Sequence, residues 1–598
     1  MAEPLRIANC SGFYGDRLDA AREMVEGGPI DVLTGDWLAE LTMLILARTR
    51  AKRPGGGFAR SFVQQMEHVM GSCLDRGIKV VSNAGGLDPD GCAEAVAEVA
   101  GRLGLAPVIA YVQGDDLLPR LDELKAAGID LAHLETGEPI GDTSRFVSAN
   151  AYLGCWGIVE ALGRGADIVI TGRTTDAAIV CGPAAWHHGW ERDSWDELAG
   201  GVVAGHVIEC GTQASGGNYS FFTEVPGMSR TGFPWAEVAS DGSSVIGKHD
   251  ATGGEVSVGT VTSQLLYEIG GPSYLGPDVT ARFDTISLEQ VGRDRVRISG
   301  TRGEPPPATL KVAMNELGGY RNEVGVGLTG LDIEAKAALV EEAFWRACPH
   351  APEDYESVTS HLTRTDKVDP ATNEEAVAVW RLTLKDPDER KVGRVVFNAN
   401  VELALATIPG YFGIGGGGGE ARPYGVFRPA VVPADLVPQH VVVGGEPTAV
   451  DSGAPAGNVE VVPVPGPAAP VPAGPTEPVP LGRVVGARSG DKGGNANLGV
   501  FARSDEAWAW LDDFLTTERF RQLLPETAPL AVDRHRLPAI RSLNFVVHGL
   551  LQEGVAASTR QDGQAKGLGE WLRARVVDVP SSLLDAAPVA TSTTGGSP

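Results

Sequence analysis

Four short stretches of this sequence combine acids, bases and cations at spacings that suit proton transfer or anion binding. In GDWLAE, Asp36 and Glu40 stand four apart where a helical pattern begins, so the spacing predicts two carboxylates on one helix face. Such a pair suits acid–base work, where mutual repulsion raises one pKa, or a divalent cation. The plain alternative is a capping aspartate beside a solvated glutamate. In AGHVIECG, His206 and Glu209 precede Cys210 within one turn, a pattern that can exchange protons or ligate metal unless His206 is a core residue. In TGRTTD, Arg173 leads a helix-like run, which predicts an anion site for carboxylate or phosphate. There the plain alternative is an Arg173–Asp176 ion pair that shapes the loop. Last, ARSGDKGGNANLG (487–499) gathers Arg488, Asp491, Lys492 and four glycines. It lacks the GxxxxGK[ST] spacing of a phosphate loop and is followed by strand-like residues, so it reads as a hairpin turn. Its charges are either solvated or reach across to a site on the rest of the chain.

The elements that must position these residues follow from periodicity. LRIANC, PIDVLTG, IKVVSNAG, LAPVIAYVQG, IDLAHLETG and ADIVITG are short, apolar and strand-like, and WLAELTMLILARTR, DGCAEAVAEVAGRLG and LLPRLDELKAAG are helical. Their alternation predicts an α/β fold with a mainly parallel, Rossmann-like sheet over residues 1–200. In an open parallel sheet ligands bind beyond the carboxyl ends of the strands. Those ends carry CSGFYGD (with Gly12, Gly15 and Asp16), GDWLAE, NAGGLDPDG (with Asn83, Gly85 and Gly86), GDD (with Asp115) and TGRTTD. Five such loops on one edge predict a binding site. CSGFYGD lacks the GxGxxG spacing, which argues against NAD or FAD.

From 201 to 452 the pattern turns to period two in EVSVGTVTSQLLYEIG, TARFDTISLEQVGRDRVRISG and EEAVAVWRLTLKDP, with a helix in DIEAKAALVEEAFWRAC. This predicts an α+β continuation with an antiparallel sheet. GIGGGGGEAR (413–422) reads as a flap or a linker, and His187 and His188, set among tryptophans, as packing residues. Nine prolines in the 28 residues 453–480 forbid helix or ladder there and predict an extended linker. The tail, 481–583, reads strand, strand, helix, strand, helix, a small ferredoxin-like α+β domain, and 584–598 reads as disordered.

Composition narrows the function classes. A net charge of −27 repels nucleic acid and anionic membrane surfaces, and would repel an anionic substrate unless Arg and Lys gather locally. No apolar run is long enough to span a membrane, and MAEPLRIANC has no signal-peptide character, so a cytoplasmic location is expected. Seven scattered cysteines without a CxxC pair predict reduced thiols rather than disulfides or a thiolate zinc site. GxSxG, HExxH and Walker motifs are absent.

The motifs SGFYGD, DVLTGDWLAELTM, VVSNAGGLDPDG, NAYLGCWGI, GADIVITGRTTDA and AGHVIECG together resemble the acyclic terpene utilisation (AtuA) family, formerly a domain of unknown function. ARSGDKGGNANLGVFAR, SLNFVVHGL and DGQAKGLGEWL resemble the ferredoxin-like domain that often follows it. The resemblance adds Asn150, Gly172, Ser489, Gly490, Asn497, Asn544, Arg560, Asp562 and Lys566 to the motif positions. One departure is GLLQEGV after the SLNFV strand, where the family has a glycine-rich turn. The resemblance implies a place in terpenoid and branched acyl-CoA breakdown. The expected activity is an enzyme of hydratase or lyase type on a branched acyl substrate, with CoA thioester as its carrier. Asp36, Glu40, His206 and Glu209 would move protons, while Arg173 and the Asn83–Gly86 loop would hold an anionic group. Two alternatives stand beside it: a non-catalytic subunit that organises acyl-CoA pathway enzymes, and a metal-dependent lyase or hydrolase using Asp36, Glu40 and His206. A homo-oligomer is expected because the tethered tail offers a docking surface.

Overall fold

A computed structural model describes residues 3–53, 55–415, 419–453, 457, 459 and 461–585. The chain divides into two compact units. One comprises Met1–Asn315, Phe427–Val555 and Gln564–Pro598, and the other Glu316–Val426 with Ala556–Gly563.

In the first unit, short β-branched runs form β1 (Leu5–Asn9), β2 (Val32–Gly35), β3 (Lys79–Ser82), β4 (Ile109–Gln113), β5 (Phe146–Ala151), β6 (Ile168–Thr171), β7 (Pro234–Val238) and β8 (Ser244–Lys248). Every residue of β2 and β6 is buried, as parallel strands covered on both faces require. The main sheet has eleven strands among the described residues, in the order Ser287–Gly292, Arg295–Ser299, β8, β7, β1, β2, β3, β6, β4, Gln439–Val443, Glu446–Val450. Only β1, β2, β3, β6 and β4 run parallel. The Rossmann-like expectation is therefore corrected to a mixed sheet. A dinucleotide-binding sheet reverses its strand order beside β1, whereas antiparallel β7 occupies that side of β1 here.

Crossover helices are capped by local chemistry. Pro89–Leu103 begins on Asp88, whose side chain accepts from Gly91 N, and ends at Gly104 with φ 71°. Arg60–Arg76, not foreseen from the sequence, ends at Gly77 with φ 69°. Helix Trp195–Ile208 is buried without interruption from Leu198 onward. Small residues permit this: a Cβ on Gly205 would lie 2.8 Å from Ala177 Cα.

Three local readings are corrected. IDLAHLETG is not a strand: it closes a turn in which Gly137, at φ 71°, donates to the His133 carbonyl, and β6 fills the sheet position beside β3. The EVSVGTVTSQLLYEIG stretch contains helix Val258–Leu265, because Ser257 and Thr260 exchange side-chain bonds in a capping box that satisfies its first turn. Helix Glu40–Lys52 starts later than expected, so Asp36 lies in the loop before it and does not share its face with Glu40.

Within the second unit, Tyr320–Thr329 pairs antiparallel with Val377–Asp386, which pairs with Ser357–Thr363, and helix Ile333–Ala347 contributes Val340 and Phe344 to their core. Of the glycine-rich GIGGGGGEAR stretch, 416–418 lie outside the described residues, as do 586–598 of the expected disordered tail.

The ferredoxin-like domain has a four-stranded antiparallel sheet in the order Val485–Lys492, Asn495–Ala502, Ser542–Val547, Val532–Leu537. The last of these escaped the sequence reading because VDRHRL is too charged to look like a strand. The linker expectation is corrected at its end: Thr476–Pro480 form a strand against Val576–Pro580, a two-stranded edge pairing in which proline is tolerated where no N–H is needed. Among the described residues no helix is long and apolar enough to cross a membrane, and all seven cysteines are unbridged.

Candidate functional site

The loops beyond β1, β2, β3, β4 and β6 hydrogen-bond to one another at one edge of the sheet. Asp36 N donates to Ser11 O, Trp37 N to Asn83 Oδ1, and Asn83 Nδ2 to Asp36 Oδ1 at 2.5 Å. Arg173 N donates to Asp115 Oδ2 at 2.9 Å, and Asn150 Nδ2 donates to the same oxygen at 2.8 Å. Gly12 permits a close approach: a Cβ there would lie 2.5 Å from the Cys210 carbonyl carbon. Gly86 adopts φ 53°, and Asp16 caps its own loop by accepting from Gly12 N. Gly15, Gly85 and Gly172 keep these loops slim; a Cβ on Gly172 would strike the Asp115 carboxylate at 2.4 Å.

Arg173 is the centre of the cluster and only 2% exposed. Its Nη1 donates to Asp176 Oδ1 at 2.6 Å and to Leu38 O at 3.2 Å, and its Cζ lies 4.2 Å over the Tyr152 ring. The plain ion pair is thus present, yet Nε remains buried without a partner. Asp36 and Glu40 flank this guanidinium rather than each other. Burial and the Asp176 carboxylate push the Asp36 carboxyl well up, against the pull of Arg173. Burial acts on Glu40 as well, but Lys311 and Arg173 outweigh it and hold its pKa at about 2. Tyr152 donates to Glu40 Oε1 at 2.8 Å and Lys311 Nζ lies 3.4 Å from the same oxygen. Asp115 is pushed up to about 7 by burial.

Helix Trp195–Ile208 delivers the second group. His206 Nδ1 lies 3.5 Å from Glu209 Oε1, and the ring sits against Tyr274 and Phe283. Burial, with the Lys492 ammonium, lowers His206 to about 4, so the ring is neutral at pH 7. Burial, then the Asp176 carboxylate, push Glu209 well up. Glu209 Oε2 has no hydrogen-bond partner although the residue is buried, whereas the His206 ring is also held by the Leu265 and Gln264 main chain. His187 and His188, by contrast, are bonded to the Glu3 and Val238 carbonyls, and His188 stacks on Trp190.

The third group comes from the C-terminal domain of the same chain. Val485–Lys492 and Asn495–Ala502 form the hairpin, turning at Gly493 with φ 64°. Its charges are all engaged, with Arg488 buried and Asp491 and Lys492 half-buried. Arg488 is 6% exposed, donates to Gln213 Oε1, and lies 4.2 Å over the Tyr267 ring. Lys492 Nζ donates to Glu268 O at 2.8 Å, and Asp491 pairs with Lys566 at 3.7 Å. Asn497 and Asn544 fix this docking. Asn497 Oδ1 accepts from Glu268 N and its Nδ2 donates to Leu266 O, while Asn544 Nδ2 donates to Gly270 O.

Residue-type patterns did not single out Tyr152, Lys311, Tyr267, Glu268 or Tyr274. Tyr152 lies two residues after Asn150 in NAYLGCWGI, and that motif is the signal for it. Lys311, Tyr267 and Glu268 had none, since only the fold brings them to the loops. Arg560 and Asp562 belong to the other compact unit. Among the described residues no three His, Cys, Asp or Glu side chains are arranged to hold a metal ion. The Asp36, Glu40 and His206 set does not fit a ligand shell: Glu40 is bound to Tyr152 and Lys311, and His206 pairs with Glu209.

Residues 5–443 match the family model of acyclic terpene utilisation family protein AtuA, and residues 479–578 match that of the AtuA ferredoxin-like domain. No curated protein and no solved structure matches the chain. With the first match covering well over half of its length, this chain belongs to the AtuA family, a family implicated in acyclic terpene utilisation, and carries the family's ferredoxin-like domain at its C-terminal end.

Proposed function

We propose that the protein is an enzyme of acyclic terpenoid breakdown that adds or removes water, or cleaves a C–C bond, on a branched acyl substrate carried as a CoA thioester. The observation that carries this reading is the setting of Arg173: its buried guanidinium, ion-paired with Asp176, also acts electrostatically on two buried carboxyls, Asp36 and Glu209. Carboxyls pushed up by burial hold a proton more readily than free ones and can give it to a leaving oxygen. Neutral His206 beside Glu209 is able to take a proton from carbon or water. Arg173, with Lys311 and Lys492, supplies positive charge where a thioester oxygen or a free carboxylate becomes more negative. That local charge answers the objection raised by a chain of net charge −27. Glu40 is ionised and engaged, so its part is to orient Lys311.

A panel of branched acyl-CoA thioesters, assayed for turnover and for a rise in thermal midpoint, tests the reading. At least one thioester should be consumed, and Arg173→Ala should abolish both responses. Neither response from any member of the panel would remove the enzyme and leave the organising subunit.

A further inference from the structure

We infer that Lys566 is a carbonyl-capturing amine, which adds through Nζ to an aldehyde or ketone, in the first instance a small oxo acid, and holds it as an iminium. This does not rest on the acyl-CoA reading above.

The surroundings of Nζ are those such a reaction needs. Nζ is hydrogen-bonded to the Tyr267 hydroxyl and lies 4.2 Å from the centre of that ring. Glu268 Oε1 is 3.5 Å away and Asp491 Oδ1 3.7 Å away. A phenol and two carboxyl groups therefore stand within proton-transfer reach of one amine. Burial and the Asp491 carboxylate push the Glu268 carboxyl well up, which favours its protonated form. Burial lowers Lys566 itself to about 8, so a useful share of it is the neutral, nucleophilic amine. Two flanking carboxyl groups would raise an ordinary surface lysine instead.

Backbone geometry supports the same conclusion independently. Ala565, buried at 3% exposure, adopts φ 54°, and Glu268 adopts φ 56°. Left-handed backbone at a non-glycine residue is unfavourable and persists where the surroundings over-determine it, often at functional sites. Here the residue before Lys566 and the residue facing it are both so held. Ser489 Oγ donates to the Lys566 carbonyl and accepts from Gly569 N, which pins the loop. Arg488 over the same Tyr267 ring, with Lys492 bonded to Glu268 O, adds the positive charge that would draw the carboxylate of an oxo acid.

The step balances without an outside reagent. The amine lone pair forms an N–C bond to the carbonyl carbon, and the C=O π pair moves to oxygen. One proton passes from nitrogen to that oxygen, giving a carbinolamine. The Glu268 carboxyl protonates the hydroxyl, water leaves, and the nitrogen lone pair forms C=N. The products are an iminium, water and the Glu268 carboxylate as counter-ion.

Full-length protein incubated with acetoacetate or with 3-methyl-2-oxobutanoate plus cyanoborohydride, followed by peptide mass mapping, tests this. One reduced adduct per chain is expected on Lys566. Its initial rate should rise with pH as the amine deprotonates, in the company of Tyr267, Glu268, Asp491, Arg488 and Cys210, ionisable groups near it. Lys566→Arg should lower trapping by at least ~100-fold and Tyr267→Phe by about tenfold, each with an unchanged thermal midpoint. No adduct with either probe, or adducts spread over surface lysines at the rate of free lysine, overturns the inference. An adduct at Lys566 without turnover of any acyl-CoA keeps it and removes the earlier reading. Acyl-CoA turnover that persists in Lys566→Arg, with no adduct in the parent protein, does the reverse.

Discussion

Lys492, on the hairpin of the C-terminal domain, donates a 2.8 Å hydrogen bond from Nζ to the main-chain carbonyl of Glu268 in the large domain. The bond joins two segments 224 residues apart at the edge of the candidate site. Reversing the charge in Lys492→Glu sets a carboxylate beside Glu268, whose own carboxyl is already pushed up. We expect a loss of about 2 kcal/mol of stability in urea unfolding and loss of any ligand-induced rise in thermal midpoint. Retention of both would mean that the hairpin charges have no part in the site.

Arg173→Ala removes a buried cation and leaves Asp176 and the Leu38 carbonyl without it. Breaking a buried pair on one side costs about 3–5 kcal/mol, to be read from the urea midpoint. Arg173→Lys keeps charge but cannot reach both acceptors and stack on Tyr152, so it should restore part of the stability and none of the ligand response.

Glu40 is held at about 2, below its ordinary value of 4.5, chiefly by Lys311 and Arg173 against the effect of burial. A depressed carboxyl contributes stability that is complete above 4.5 and is lost as the pH falls towards 2. With its side chain 31% exposed, the discounted contribution is about 1–2 kcal/mol. Glu40→Gln should therefore be less stable than the parent at pH 7, and the gap should close through that window.

His206 is buried and neutral, with a folded pKa of about 4 against 6.5 in the unfolded chain. Below 6.5 the unfolded chain binds a proton that the folded one refuses. Stability falls between pH 6.5 and 4 by an amount on the order of 3 kcal/mol. His206→Asn should flatten that slope in urea titrations at a series of pH values; an unaltered slope would assign it to other groups.

Gly12→Ala places a methyl carbon 2.5 Å from the Cys210 carbonyl carbon, and main chain on both sides cannot yield easily. Overpacking of this kind costs about 1–3 kcal/mol. Differential scanning calorimetry should show a lower midpoint, and ligand response should weaken with it because the β1 loop carries Asp36 through Ser11 O.

Local pattern alone determined much of this protein. Short β-branched runs made β1, β2, β3, β4 and β6 legible, most plainly β2 and β6, whose residues are all buried as strands covered on both faces require. Glycines and carboxylates at their ends made the loops of Asp36, Asn83, Asp115 and Arg173 legible as one edge, and the hairpin at 487–499 was readable from its turn residues. Tertiary structure decided the rest. Antiparallel β7 beside β1 makes the sheet mixed, and no residue of β1 announces which strand will pair with it. Whether Arg488 and Lys492 are solvated or engaged depends on Asn497 and Asn544 gripping residues 266–270, contacts that span more than two hundred residues of chain. Protonation is equally non-local. Asp36 is pushed up and Glu40 down, although only three residues separate them, because burial and the placement of Asp176, Arg173 and Lys311 are properties of the folded surroundings.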